Sequence, residues 1–402
     1  MNLVSRPARR PVVGLALMIA VALLAPKVGY AEPEFGWNGS SFIKDSDEGF
    51  FIKFGGRIMS DWALNSGDSS LDAAVSGIED GTRFRRVRLF SAGTIYHVVE
   101  YKLQFDFAGG DVAFKDVFIG LKGIPFVGGI RVGHQYEPAG LETITSSKVI
   151  TFMERASVST LMPERNTGIQ AFNKLADDRL VLAVGMFTAS NEYGDAVGND
   201  YAWTGRVAGL PIKNEENNRL LHLGVSGSYR EAEDGEFQVK AKPENPIAPS
   251  FLDTEIIFAD TITLLGTEAA GIWGPISLQG EYAFVSVVSD SAGDPNFSSY
   301  YVQAAYTLTG EARGYKSAQM GGIVPKRNYD GKGGIGAFEL AARYSTMDLS
   351  DEQVLGGEYS VLTLGVNWYL NPYTRVMVNY AYTDYTGVGK MKSLMTRFQV
   401  SF

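Results

Sequence analysis

Ser146, Ser147, Lys148 and Arg155 place two hydroxyls and two cations within a ten-residue stretch. Hydroxyl donors beside an ammonium and a guanidinium suit an oxyanion, because they replace its hydration shell with fixed donors and fixed positive charge. These residues lie in the connector 137–165, which also carries Leu141, Ile144, Val149, Ile150, Phe152, Met153, Leu161 and Met162 but few glycines. A connector this apolar would be poorly solvated if it stood out in water. It is expected to fold inward and pack on a wall. A plainer reading has Arg155 pairing with Glu142, Glu154 or Glu164 merely to hold the stretch down.

The wall is legible as a repeated two-faced pattern. Phe50, Ile52, Phe54, Ile58 and Trp62 face one way, against Lys53, Arg57 and Asp61. The same alternation recurs in Tyr101–Phe107, Leu221–Tyr229, Ile276–Phe284, Phe338–Tyr344, Leu362–Trp368 and Val376–Tyr382. At the very end Thr396, Phe398, Val400 and Phe402 oppose Met395, Arg397, Gln399 and Ser401. Period-two alternation puts successive side chains on opposite faces of a strand. Weaker segments near 84–95, 166–174, 236–243, 266–273 and 299–309 bring the number of strands to about sixteen.

The polar face carries Lys53, Arg57, Arg131, Arg206, Arg230, Arg343, Arg375 and Arg397 in mid-strand, and the acids Asp61, Glu100, Asp106, Glu281 and Glu339 share it. A soluble sandwich would bury its apolar face and keep such charges at its surface. A barrel in a membrane reverses this, with lipid outside and water within. The expected fold is therefore all-β: a transmembrane antiparallel barrel of about sixteen strands with one long loop folded into the lumen. The connectors 63–82, 137–165, 189–200, 285–298 and 310–334 read as long loops on one rim, with tight turns such as Asn371-Pro372 on the other. Parity refines one position. Val87 and Leu89 point outward, so Arg86 and Arg88 should point in, and Arg85 should meet lipid unless a bulge intervenes.

The N-terminus supplies an address. Arg6, Arg9 and Arg10 precede an apolar run of 14 residues from Val12 to Ala25, and Gly29-Tyr30-Ala31 offers a cleavage site. A spanning helix would need about 20 apolar residues. Residues 1–31 are thus expected to be a cleaved signal peptide, 32–49 a short lead-in and 50–402 the barrel. Residues 1–31 hold four cations and no acids, leaving 32 cations against 45 acids over the remaining 371 residues, a net charge of −13. That balance excludes nucleic acid as a partner but does not say which charges line a lumen. The chain has no cysteine, so it uses neither disulfides nor thiolate chemistry. His97, His134 and His222 are scattered without metal-ligand spacing, and Asp45, Asp47 and Glu48 lack the later ligands of a calcium loop. Gly331–Gly336 fits G-x-G-x-x-G but precedes a strand instead of following one. No catalytic set and no cofactor is expected.

The sequence resembles the phosphate-selective porin family of the Gram-negative outer membrane (the O and P type). The resemblance rests on Phe54-Gly55-Gly56-Arg57-Ile58, on Phe84-Arg85-Arg86-Val87-Arg88, and on the connector from Pro138 through Thr145-Ser146-Ser147 to Phe152-Met153-Glu154-Arg155. Trp368–Pro372 and the closing aromatic also fit. It implies an outer-membrane homotrimer that contacts lipid and passes phosphate, polyphosphate or related small anions. Arg85 and Arg86 match the family's wall pair, Ser146 and Ser147 its loop hydroxyls, and Arg155 its loop arginine. The family's loop lysine has no clear match, for Thr143 stands near its place and Lys148 is displaced. With Arg57, these residues form the expected constriction. The alternatives are a general pore for small hydrophilic solutes, an outer-membrane barrel enzyme, and a plugged barrel without flux.

Overall fold

The computed structural model describes residues 33–45, 47 and 49–402. The leader expected at 1–31 and Glu48 lie outside the described residues. A hairpin of β1 (Glu34–Trp37) and β2 (Ser41–Asp45) comes first. The wall then begins with β3 (Phe50–Gly67), β4 (Gly81–Ile95), β5 (Val99–Asp106), β6 (Ala113–Ile124) and β7 (Gly128–Tyr136). It continues with β8 (Arg165–Leu175), β9 (Leu180–Thr188), β10 (Tyr201–Asn214) and β11 (Arg219–Glu231). Four two-residue strands, β12 (Glu236–Phe237), β13 (Lys240–Ala241), β14 (Leu252–Asp253) and β15 (Ile257–Phe258), decorate one connector. The wall resumes with β16 (Thr261–Trp273), β17 (Ile276–Val288) and β18 (Asn296–Thr307). After the hairpin β19 (Arg313–Lys316) and β20 (Gln319–Ile323), it ends with β21 (Ala337–Asp351), β22 (Val354–Asn371), β23 (Thr374–Tyr385) and β24 (Gly389–Ser401).

Each wall strand pairs antiparallel with its neighbour along the chain, and β24 returns to pair with β3, closing a barrel of sixteen strands. Closure leaves no open edge in the wall, the condition for spanning hydrocarbon with strands. Among the described residues no helix is long and apolar enough to cross a membrane. The alternation keeps its expected sense: in β22, Leu362, Leu364 and Val366 are exposed while Val361, Thr363 and Asn367 are buried. An apolar exterior around a polar interior is the arrangement of a barrel whose outer face meets lipid.

The chain ends where the barrel closes. Phe402 and Gly56 exchange two backbone hydrogen bonds, at 2.6 and 3.1 Å. A Cβ on Gly55 would stand 2.3 Å from the Phe402 carbonyl oxygen, so a side chain there would push the chain end away. β2 pairs with Phe50–Phe54 of β3, taking over below the point where β24 has ended. The stretch expected as a bare lead-in therefore extends the sheet.

Three further expectations are corrected. Segment 236–243 is no wall strand: β12 and β13 pair only with β15 and β14, inside the connector between β11 and β16. The connector between β18 and β21 also lies on the opposite rim from the one expected. The connectors read at 285–298 and 310–334 flank the single strand β18, so they stand on opposite rims, and residues 308–336 fall on the rim of the short turns. The loops 63–82 and 285–298 are shorter than read, since β3 runs to Gly67 and β17 to Val288.

Candidate anion site and constriction

The connector from β7 to β8 folds into the barrel as its composition requires. Leu141, Ile150, Phe152, Met153 and Val158 are at most 2 % exposed. Met153, Val158, Leu161 and Met162 pack against Leu264, Val285, Met347 and Val361 of the wall. Fully burying side chains of this size contributes roughly 1.5–3 kcal/mol each. The Glu281 carboxylate accepts the Leu141 and Glu142 backbone N–H groups, both at 2.7 Å, and so caps the short helix Leu141–Ile144. Buried backbone groups need partners, and the wall supplies them one after another. Gln399 donates to the Lys148 carbonyl at 3.0 Å, Arg375 to Ile150 at 2.8 Å, Asn367 to Thr151 at 2.8 Å and Arg343 to Glu154 at 3.1 Å. Arg397 donates to the Met153 carbonyl. Several mid-strand cations expected to line water thus hold the loop instead. The inward acids are occupied too: Asp61 binds Arg397, Glu100 binds Arg131, Asp106 binds Arg88 and Glu339 binds Arg313.

The expected constriction residues divide into two groups. Arg85 and Arg86 border a cavity of roughly 700 Å³ on the loop rim, and Arg57, Ser146 and Ser147 border one of roughly 440 Å³ toward the turn rim. Arg155 borders both. The register between β3 and β4 slips between Met59 and Ser60, which pair with Arg86 and Phe84, so Arg85 is the bulged residue. The bulge turns Arg85 inward, where it forks onto Glu154 with both bonds at 2.9 Å. Arg86 is 3 % exposed, its Nη1 lies 3.9 Å from Glu154, and its Nε has no hydrogen-bond partner.

On the other side of the loop, Arg57 Nη1 donates to Ser147 Oγ at 2.7 Å. Ser146 Oγ accepts the Lys148 backbone N–H at 3.4 Å. Burial, then the charges of Arg57, Lys53 and Lys102, lower Lys148 to about 8. Thr143, near the place of the family's lysine, is buried. Arg155 pairs with none of the three acids considered for it. Its Nε and Nη2 donate to the Glu142 and Thr145 carbonyls, both at 2.8 Å. That geometry anchors the residue inside its own loop without a direct ion pair, and its charge acts on Glu164 only at longer range.

Four residues border both cavities, Arg88, Tyr136, Arg155 and Arg165, and of these sequence reasoning placed only Arg155 in the constriction. Arg88 was expected only to face inward; Tyr136 and Arg165 were not singled out. Tyr136 and Arg165 are register partners where the β7–β8 ladder gives way to the loop. The Arg165 guanidinium lies 3.7 Å from the Tyr136 ring centroid, and its Nε donates to Asp116 at 2.8 Å. Strand alternation lapses at such ends, so no periodic signal marks them.

Charge sorts by location. Nine cations and five acids border the loop-rim cavity, and eight cations and two acids border the other, although the chain as a whole carries −9. Both cavities are positive inside a negative protein.

Comparison with known proteins agrees with this architecture. The profile of the family described as phosphate-selective porin O and P matches residues 52–402. The chain is similar to Porin O of Pseudomonas aeruginosa, with 26 % identity covering 90 % of this chain and 91 % of that protein. It is also 27 % identical to an uncharacterized protein of Caulobacter vibrioides, covering 96 % of this chain and 79 % of the relative. Among solved structures, an anion-selective porin from Comamonas acidovorans superposes with a TM-score of 0.56 at 14 % identity, over 88 % of this chain and all of that one. A trimer form of OmpT from Vibrio cholerae gives 0.52 at 11 % identity, over 87 % and 99 %. At those identities the superpositions speak for the fold alone.

Proposed function

Since the chain belongs to the phosphate-selective porin O and P family, and is thus an outer-membrane porin, we propose that it conducts small anions, phosphate among them, through a constriction formed around Arg155. The observation that carries this reading is the excess of cations over acids in both cavities of a net-negative chain. A low-dielectric wall lined with one sign of charge concentrates the opposite ion.

An anion entering from the loop rim meets Arg83, Arg85, Arg86 and Lys115, then the neck of Arg88, Tyr136, Arg155 and Arg165. Beyond it stand Arg57, Ser146 and Ser147. Guanidinium forks and hydroxyls together match the several acceptor oxygens of phosphate better than the single charge of chloride. Spreading the donors over successive positions keeps each seat weak enough to leave, as conduction requires. The name of the family supports phosphate as the solute, and a homotrimer is part of the same proposal, a trimer form being known for the Vibrio cholerae protein of this fold.

The test is ion selectivity in a planar bilayer for the wild type and Arg155→Ala. The wild type should prefer chloride to potassium and lose current when inorganic phosphate is added, and the variant should lose much of that preference. A cation-preferring wild type would overturn the reading.

A further inference from the structure

Glu154 has no part in the conduction path as described, yet it sits among the guanidiniums that the path would use. Its Oε1 accepts from Arg85 Nε at 2.9 Å and from Arg397 Nη2 at 2.7 Å, and its Oε2 accepts from Arg85 Nη2 at 2.9 Å. Arg86 Nη1 stands 3.9 Å from Oε1. A carboxylate forked by one guanidinium and touched by a second is held as a free oxyanion would be held. Burial opposes its ionisation, but Arg85, Arg86 and Arg397 outweigh burial and keep it well below the usual carboxylate range. The side chain borders the loop-rim cavity, so the seat it fills opens on the proposed path.

We propose that Glu154 is a tethered counter-ion that occupies an anion seat built from Arg85, Arg86 and Arg397, and that it sets how tightly permeating anions are held by competing with them.

Three guanidiniums meet two carboxylates here, because Arg397 is also forked onto Asp61 at 2.7 and 2.6 Å. The surplus charge is that of Arg86, buried and without a hydrogen-bonded carboxylate. An uncompensated buried charge is costly, so the seat draws an anion beyond the one the chain supplies. Only the Glu154 side chain needs to yield. The backbone on either side is pinned, with the Met153 carbonyl on Arg397 and the Glu154 carbonyl on Arg343. Exchange of a side-chain carboxylate for a mobile anion keeps the guanidiniums paired throughout.

This inference rests on the anion-channel reading, and the experiment separates the two. Chloride current through reconstituted channels is titrated with inorganic phosphate for the wild type, Glu154→Gln and Arg85→Gln. With the tethered competitor neutralised, the half-blocking phosphate concentration should fall about tenfold, the size expected for loss of a close charge pair. Arg85→Gln removes the fork, leaving Glu154 held by Arg397 at Oε1 and its Oε2 unpaired toward the cavity. It should therefore lower chloride preference more than Arg83→Gln, which removes a cation from the same cavity but touches no acid. An unchanged half-block in Glu154→Gln would overturn the inference while leaving the anion channel standing. If that variant yields no channels, equal losses in Arg85→Gln and Arg83→Gln overturn it instead. A wild type without anion preference removes the underlying reading.

Discussion

Arg313 Nη1 donates to the carbonyl oxygen of Val149 at 2.9 Å, so a segment entering from the turn rim meets the one entering from the loop rim inside the barrel. Arg313 also pairs with Glu339 of β21, both nearly fully buried, and Tyr369 Oη donates to the same carboxylate at 2.8 Å. The turn-rim hairpin is tied down again by Arg206, which donates to the Ala318 carbonyl at 2.9 Å. The lumen is therefore narrowed from both ends.

Removing one partner of that buried pair should be expensive. Arg313→Ala leaves the Glu339 charge uncompensated, and breaking such a pair costs about 3–5 kcal/mol. The temperature at which the folded barrel loses its compact mobility on an unheated gel should drop markedly. Arg313→Met combined with Glu339→Gln should recover a large part of the loss. A single variant as stable as the wild type would show that the pair does not hold the hairpin.

On the anion-channel reading, the charge of Lys148 beside Arg57 should make conduction depend on pH. With its ammonium lowered to about 8, the group is charged below that pH and neutral above it. The sign follows: anion preference should fall as pH rises from about 7 to 9, well before an ordinary lysine titrates. Because burial opposes the charged form, the folding penalty is full below about 8, shrinks as pH rises from there, and is gone only above the ordinary lysine value of 10.5. Reversal potentials measured across this range for wild type and Lys148→Gln provide the check. The variant should be flat where the wild type declines.

On the same reading, Tyr136 should serve the neck through its ring. The Arg165 guanidinium stacks 3.7 Å from the ring centroid, a cation–π contact of about 0.5–2 kcal/mol. Tyr136→Phe should retain wild-type selectivity, because the ring remains. Tyr136→Leu should reduce chloride preference in the same reversal-potential measurement. Equal behaviour of the two variants would assign the contact no role.

Gly55 tests how the barrel is closed. A Cβ there would stand 2.3 Å from the Phe402 carbonyl oxygen, and overpacking of this kind costs about 1–3 kcal/mol. Gly55→Val should lower the thermal transition of the folded barrel. Truncation of Phe402 alone should also weaken closure, since it removes both hydrogen bonds to Gly56.

Sequence alone determined most of the wall. Period-two alternation is local, so Leu362, Leu364 and Val366 can be assigned to one face without knowing their neighbours. The inward folding of 137–165 was equally legible, because an apolar connector must find something to pack against. Three matters needed the tertiary structure. Consecutive connectors alternate between rims, so length alone, which groups 285–298 with 310–334, places residues 308–336 on the wrong one. Arg85 faces the lumen only because one residue of β4 is bulged, and a pattern of types does not carry a register slip. The role of each inward cation depends on what lies opposite it. Arg343, Arg375 and Arg397 hold loop carbonyls whereas Arg155 and Arg165 border the cavities, and that division is made by contacts between residues as much as 244 positions apart. Alternation fixes a side chain's face, but only the closed barrel with its inserted loops fixes its partner.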